Sequence, residues 1–285
     1  MRIALMHRRL KGGGTEGDLR RMASGLAARG HDVHVFCSRA DTYVPGVTVR
    51  KVPTLGAGRV ARLLTFAVVA PRAVGRERWD VVVGFGRTPR QDVVRVGGGT
   101  HRSYLARMEA DGMRSRVRGF YHRAILGIEA RAFAPAGHRR VLAVSRAAAA
   151  EVTRDYGVDP ARIAVVYNGV DLARFHPAHR TTLGPPLRRA LGLPENVRVC
   201  AAVGSGFERK GFDVLLDLWA DRPPPDTALV LVGNDERLTR WRRRAAELGG
   251  RVVVTGPRSD VEAVLAAADV VCMPSRQEAD RKSVV

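Results

Sequence analysis

Arg2-Ile3-Ala4-Leu5-Met6, the loop Lys11-Gly12-Gly13-Gly14-Thr15-Glu16-Gly17, the stretch Asp18 to Ala28 and the run Val33-His34-Val35-Phe36-Cys37 follow one another at the start of the chain. The first is a short apolar run and reads as a buried strand. In the third, Leu19, Met22, Ala23, Leu26 and Ala27 recur at helical spacing, and Gly30 closes the helix. The last run is a second strand. Strand, helix and strand in this order make a βαβ unit, with parallel strands and a right-handed crossover. The fold class is therefore α/β.

The pattern repeats along the chain. Val47 to Val52 reads as a strand, Leu55 to Arg76 as mostly helix, and Asp80 to Val83 as a buried strand ending at Gly84-Phe85-Gly86. His101 to Arg140 is helical in pattern and holds nine arginines against three acids. Val141 to Val144 is a strand, with Ser145 opening an alanine-rich helix, and Ile163 to Val166 leads into the turn Tyr167-Asn168-Gly169-Val170-Asp171. His176 to Pro186 is polar and contains proline, which suits a linker. A second set of strands and helices runs from Val197 to Met273. The expectation is two Rossmann-like parallel-sheet domains, 1–175 and 191–285, joined by a linker over 176–190. The second domain looks unfinished, because a polar tail stands where another helix is expected.

The 285 residues carry a net charge of +20 with a pI near 11.3, which points to an anionic partner: a nucleic acid, an acidic membrane face or a phosphorylated substrate. Cys37, Cys200 and Cys272 are far apart in apolar runs and read as buried free thiols of a reducing compartment. No signal peptide opens the chain, and the apolar stretch Leu63 to Ala70 falls short of the about 20 residues that span a bilayer. The expected location is cytoplasmic, with peripheral attachment to the inner face of the cell membrane left open.

Three loops carry chemistry. Val203-Gly204-Ser205-Gly206-Phe207-Glu208-Arg209-Lys210-Gly211 compresses a strand end, a glycine turn and a helix start, and places two cations where a diphosphate would lie. Lys210 is one of only four lysines. A solvated basic turn is the plain alternative. In the N-terminal loop, Asp18 follows the glycines and is either an acceptor for a substrate hydroxyl or a helix N-cap. The third loop, Val96-Gly97-Gly98-Gly99-Thr100-His101, offers His101 to a hydroxyl or keeps it for packing. No D-x-D, H-E-x-x-H or C-x-x-C occurs, so no metal site is expected, and Arg209 and Lys210 with helix dipoles would stabilise a leaving diphosphate.

In this order the segments resemble the retaining glycosyltransferases of family 4, with the GT-B fold. The resemblance rests on Gly12-Gly13-Gly14 with Asp18, Ala28 to Val33, Val144-Ser145, Val166 to Asp171, Gly204 to Gly211, and Ala267-Ala268-Asp269-Val270-Val271 with Pro274-Ser275. Val82-Val83-Gly84-Phe85-Gly86-Arg87-Thr88-Pro89, together with Gln277-Glu278-Ala279, is similar to the subgroup that adds glucose to the lipopolysaccharide core.

This resemblance implies a UDP-sugar as donor, bound between two domains that face a cleft, with no cofactor. Arg209 and Lys210 would hold the diphosphate, with Gly204 in the turn beside them. Backbone from Gly256 to Val261 would face the nucleobase, Asp18 with Gly13 and Gly14 the transferred sugar, and His101 the sugar or acceptor. Glu278 matches the first Glu of the family's E-x7-E motif, whose second Glu would fall one residue beyond Val285. The resemblance therefore implies a truncated or frame-shifted product, or a gene fragment, with an incomplete donor site.

The function expected is hexose transfer, of glucose in the first instance, from a UDP-sugar to a lipopolysaccharide-core or lipid-linked sugar, with retention and without a metal. Phosphates on that acceptor, and an anionic membrane surface, would account for the basic first domain. Two other readings stay open on the residues: a basic nucleic-acid-binding protein, which no RNP, helix-turn-helix or zinc pattern supports, and an NADP-dependent Rossmann enzyme, with Arg39 for the 2′-phosphate but no clean G-x-G-x-x-G.

Overall fold

The computed structural model describes residues 1–10, 14–110 and 119–276. The chain divides into two compact units, Met1–Asn168 and Gly169–Val285.

The first unit is built on a parallel sheet of β1 (Arg2–Met6), β3 (Asp32–Cys37), β5 (Val47–Lys51), β6 (Val81–Gly84), β7 (Val93–Val96), β8 (Arg140–Ala143) and β9 (Ile163–Val165). Short β2 (Arg9–Leu10) and β4 (Arg39–Ala40) pair separately. The sheet order is β5-β3-β1-β6-β7-β8-β9, with Met6 level with Gly84 where β1 meets β6. The order reverses between those two strands, and a doubly wound sheet offers a crevice to ligands at such a point. The helices are α1 (Gly14–Ala27), α2 (Gly58–Val74), α3 (His101–Ala110), α4 (Phe120–Phe133) and α5 (Arg146–Tyr156).

Alternation along β1 explains why helices cover both faces. Ile3 and Leu5 pack with Leu19 and Ala23 of α1, whereas Ala4 and Met6 pack with Phe66, Ala70 and Val74 of α2. Val94 and Val96 of β7 meet Phe133 of α4 and Val152 of α5. Ser145 caps α5 by accepting the Ala148 amide at 3.1 Å, and left-handed Gly157 ends it.

The second unit holds β10 (Arg198–Val203), β11 (Thr227–Val232), β12 (Val252–Gly256) and β13 (Val270–Val271), parallel in the order β12-β11-β10-β13. Its helices are α6 (His179–Thr182), α7 (Gly184–Ala190), α8 (Phe212–Asp221), α9 (Leu238–Ala246) and α10 (Val261–Ala267). Every residue of β11 is buried, as befits a parallel strand covered on both faces. Here the order reverses between β10 and β13.

Two expectations change. Residues 176–190, expected as a linker, carry α6 and α7 within the second unit. Leu187 and Leu193 join Val199, Val264 and Ala267 in one core, so apolar spacing outweighs the polar composition. Pro185 sits in the first turn of α7, where a missing amide costs nothing. In the first unit, α1 begins at Gly14, four residues before Asp18. Asp18 is therefore inside the helix and is not its N-cap.

Candidate functional site

Asp18 is buried on α1 at the carboxyl edge of β1. Arg95 of β7, also buried, donates from Nη2 to Asp18 Oδ2 at 3.1 Å and to Asn168 Oδ1. Its guanidinium lies 5.1 Å from the centre of the Phe85 ring, which follows β6. Arg21 donates to the other Asp18 oxygen. One arginine thus ties together residues leaving β1, β6 and β9, and Asp18 is doubly paired. Asn168 stands in the sequence only as part of a turn, and Arg95 is not among the sequence candidates, although an arginine inside the apolar run Val93 to Val96 is itself a signal, because a buried charge needs a partner.

His101 opens α3. Glu129 of α4 accepts its backbone amide with both oxygens, at 2.8 and 3.0 Å, and also accepts the Tyr156 hydroxyl at 2.5 Å. Glu151 accepts the Thr100 amide at 3.0 Å, and the Thr100 hydroxyl accepts from the Ser103 amide at 3.0 Å. Gly99 is left-handed (φ 75°), and a side chain there would collide with the Glu151 carboxylate. The start of α3 is therefore already capped by protein groups. The His101 ring shares a 3.0 Å hydrogen bond with His122 and stacks on Tyr104. Burial, then repulsion from Arg87 and His122, lowers its pKa to about 4. His101 is neutral at neutral pH and serves as a hydrogen-bonding group, not as a cation.

In the second unit, the Gly204 to Gly211 turn fills the switch point between β10 and β13. Phe207 is fully buried against Phe212 and Trp241, with ring centres 4.6 and 5.5 Å away; burying a phenylalanine contributes about 2 kcal/mol. Three of the turn's amides are donated inward: Gly204 to Val232 O, Gly206 to Asn234 O, and Phe207 to the Asp235 carboxylate at 2.8 Å. Those of Lys210, Gly211 and Phe212 close the turn on itself. Helix α8 starts at Phe212, behind left-handed Gly211. The turn also carries the two cationic side chains Arg209 and Lys210. The Lys210 stem lies along Gly204, and Arg209 donates to Ser205 O at 3.2 Å.

The segment after β13 supports this turn. The Arg276 amide donates to Arg209 O at 3.1 Å, and its guanidinium clamps both Asp213 oxygens at 2.8 and 2.7 Å. Burial alone would raise the Asp213 pKa, but Arg276 prevails and lowers it. Left-handed Gly211 (φ 71°) is pressed against the Pro274 carbonyl. Gly256 (φ 85°) ends β12 under the Arg242 guanidinium, and Val261 opens α10 behind Asp260, which Arg258 chelates at 2.8 and 2.6 Å.

Gly14, Asp18 and His101 thus stand at the carboxyl edge of the first sheet, and Gly204, Arg209, Lys210, Gly256 and Val261 at that of the second. Gly13 and Glu278 lie outside the described residues. Among the described residues, no group of three or more His, Cys, Asp or Glu is arranged to hold a metal ion. None of their helices is long and apolar enough to cross a membrane.

Two Rossmann-like units, each a parallel sheet with a switch point at its carboxyl edge, have the architecture of GT-B glycosyltransferases. The chain belongs to glycosyltransferase family 4, whose pattern matches residues 12–174; residues 197–284 match the glycosyl transferases group 1. It is 26% identical to the lipopolysaccharide glucosyltransferase WaaG of Escherichia coli (strain K12) over 273 residues, covering 94% of this chain and 72% of that protein. A D-inositol 3-phosphate glycosyltransferase of Salinispora arenicola is 36% identical over 156 residues, which is 49% of this chain and 35% of that protein. The crystal structure of WaaG, described as a glycosyltransferase involved in lipopolysaccharide biosynthesis, superposes with a TM-score of 0.82 at 25% identity over 98% of this chain and 76% of WaaG. HepE of Anabaena, solved with UDP-glucose, shares the fold at a TM-score of 0.64 and 21% identity, over 96% of this chain and 74% of its own. Family membership takes the place of the NADP-enzyme and nucleic-acid-binding readings.

Proposed function

We propose that the chain carries the machinery of a hexosyltransferase that moves glucose from UDP-glucose to a sugar of a lipopolysaccharide core or a related lipid-linked acceptor. The observation that carries this reading is the pairing of Arg209 with Lys210 at the switch point of the second sheet, in a chain that resembles WaaG over 94% of its length. The two cations would hold the diphosphate and neutralise it as it leaves. The backbone from Gly256 to Val261 would face the uracil. Gly14 and Asp18 would meet the transferred sugar, with Arg95 holding Asp18 in place, and neutral His101 would hydrogen-bond a sugar hydroxyl.

Transfer with retention follows from attack on the face that the diphosphate leaves. The acceptor oxygen bonds to the anomeric carbon as the bond from that carbon to the β-phosphate oxygen breaks. The acceptor proton passes to that phosphate oxygen, so no protein nucleophile and no metal is called on. A basic first unit would suit work at an anionic, cytoplasmic membrane face, where a phosphorylated glycolipid acceptor is presented.

Calorimetry with UDP, UDP-glucose, UDP-galactose, UDP-GlcNAc and GDP-mannose tests the reading. UDP-glucose should bind, and Arg209→Ala and Lys210→Ala should each weaken UDP about tenfold. Absence of binding by every nucleotide sugar refutes the donor assignment, and unchanged affinity in both variants refutes the roles of the two cations.

A further inference from the structure

Arg8, Arg59, Arg62 and Arg87 converge on one side of the first unit. Arg8 follows the end of β1 and Arg87 the end of β6, and Met6 is level with Gly84 across those strands. The two arginines therefore leave neighbouring strands at the carboxyl edge. Arg59 and Arg62 lie one turn apart at the start of α2, just before Leu63, which packs with Ile125 and Ile128 of α4. The Arg59 guanidinium sits over the Tyr121 ring at 4.6 Å, and Tyr121 meets His122, the partner of His101, edge to face at 5.6 Å.

The four cations are poorly compensated. Burial first, then Arg9, holds the Arg8 guanidinium below its ordinary pKa; Tyr121 opposes this, and Arg87 and Arg62 add smaller repulsions. Among the described residues no carboxylate pairs with Arg8, Arg59, Arg62 or Arg87. Four arginines of the helical stretch after His101 are occupied by comparison. Arg107 pairs with Glu151 and Arg139 with Asp92, while Arg102 and Arg140 donate to the Asp155 and Ala161 carbonyls. Arg87 also stands in left-handed backbone (φ 69°), an unfavourable place for a residue with a side chain.

We propose that Arg8, Arg59, Arg62 and Arg87 form a phosphomonoester subsite beside the His101–His122 pair, which takes a phosphate carried by the sugar acceptor. The inference rests on the reading of the chain as a glycosyltransferase and locates the acceptor's charge. A phosphate dianion presents three oxygens to forked donors and supplies the negative charge that the surrounding residues lack. Of the basic stretch that follows His101, Arg102, Arg107, Arg139 and Arg140 are held by the partners named above.

Saturation-transfer NMR on the intact chain tests the subsite with mannose 6-phosphate, mannose and glucuronate as probes and UDP as the donor-site reference. Mannose 6-phosphate should bind, and mannose and glucuronate should bind at least about fivefold more weakly. Arg62→Gln, on an exposed helix face, and Arg87→Gln should each weaken mannose 6-phosphate about fivefold and leave UDP unchanged. Arg72→Gln removes the same charge from α2 roughly 15 Å along the helix and should change neither. The subsite is overturned if mannose or glucuronate binds as tightly as mannose 6-phosphate, if both variants match the wild type, or if Arg72→Gln weakens the phosphate as much as Arg62→Gln. Failure of the wild type to bind UDP, with phosphate binding as expected, refutes the donor reading and leaves the subsite standing.

Discussion

Arg95 and Asp18 stand 77 residues apart in sequence and 3.1 Å apart in space, both with side chains almost wholly withdrawn from water. The pair joins the middle of β7 to the second turn of α1, and Asn168 closes the group from the turn after β9. A strand, a helix and a distant turn are thereby held at one edge.

Removing one member of a buried ion pair leaves the other charge stranded, which costs more than the pair contributes. Arg95→Met should therefore lower the unfolding free energy by about 3 kcal/mol, read as a fall in the urea midpoint. A midpoint within error of the wild type would show that Asp18 is satisfied without Arg95.

Gly204 offers a way to disturb Lys210 without touching it. A methyl group there would meet the Lys210 stem at 3.0–3.1 Å, a contact with a flexible side chain and not with backbone. Gly204→Ala should change stability by less than about 1 kcal/mol while UDP affinity falls several-fold. Equal UDP binding, measured by calorimetry, would detach Lys210's position from diphosphate recognition.

His101 has a folded pKa of about 4, lowered by burial and then by Arg87 and His122, against about 6.5 in an unfolded chain. Between these values the unfolded state binds more protons, so stability rises with pH through the window and is lost as pH falls from about 6.5 toward about 4. Urea unfolding across that range should show the slope in the wild type and a shallower one in His101→Asn. The same neutrality predicts that no limb of the pH–rate profile between pH 5 and pH 8 belongs to His101; a limb abolished by His101→Asn would contradict it.

Local rules made some of the fold visible in advance. Ile3 and Leu5 against Ala4 and Met6, and the spacing from Leu19 to Ala27, are period signals that need no partner to be recognised. The glycines from Gly204 to Gly211 likewise marked their turn. What they could not disclose is that Phe207 anchors the turn in the core, or that three of its amides are donated to Val232, Asn234 and Asp235. Those contacts come from strands that pair only once the sheet forms. The partners of His101 were hidden for the same reason: Glu129 and His122 are on the next helix, and helical spacing says nothing about which face meets which. The α6–α7 segment reads as a linker because prolines and polar residues outnumber the leucines that bury it.

The left-handed backbone of Arg87 sets two demands on one position against each other. Glycine would relieve the strain there, and Arg87→Gly should raise the thermal midpoint by an amount equivalent to about 1 kcal/mol. The same change deletes a guanidinium from the carboxyl edge of β6. At this position a more durable molecule is a less discriminating one: a screen for heat resistance alone should recover glycine at residue 87, and a screen for acceptor use should reject it.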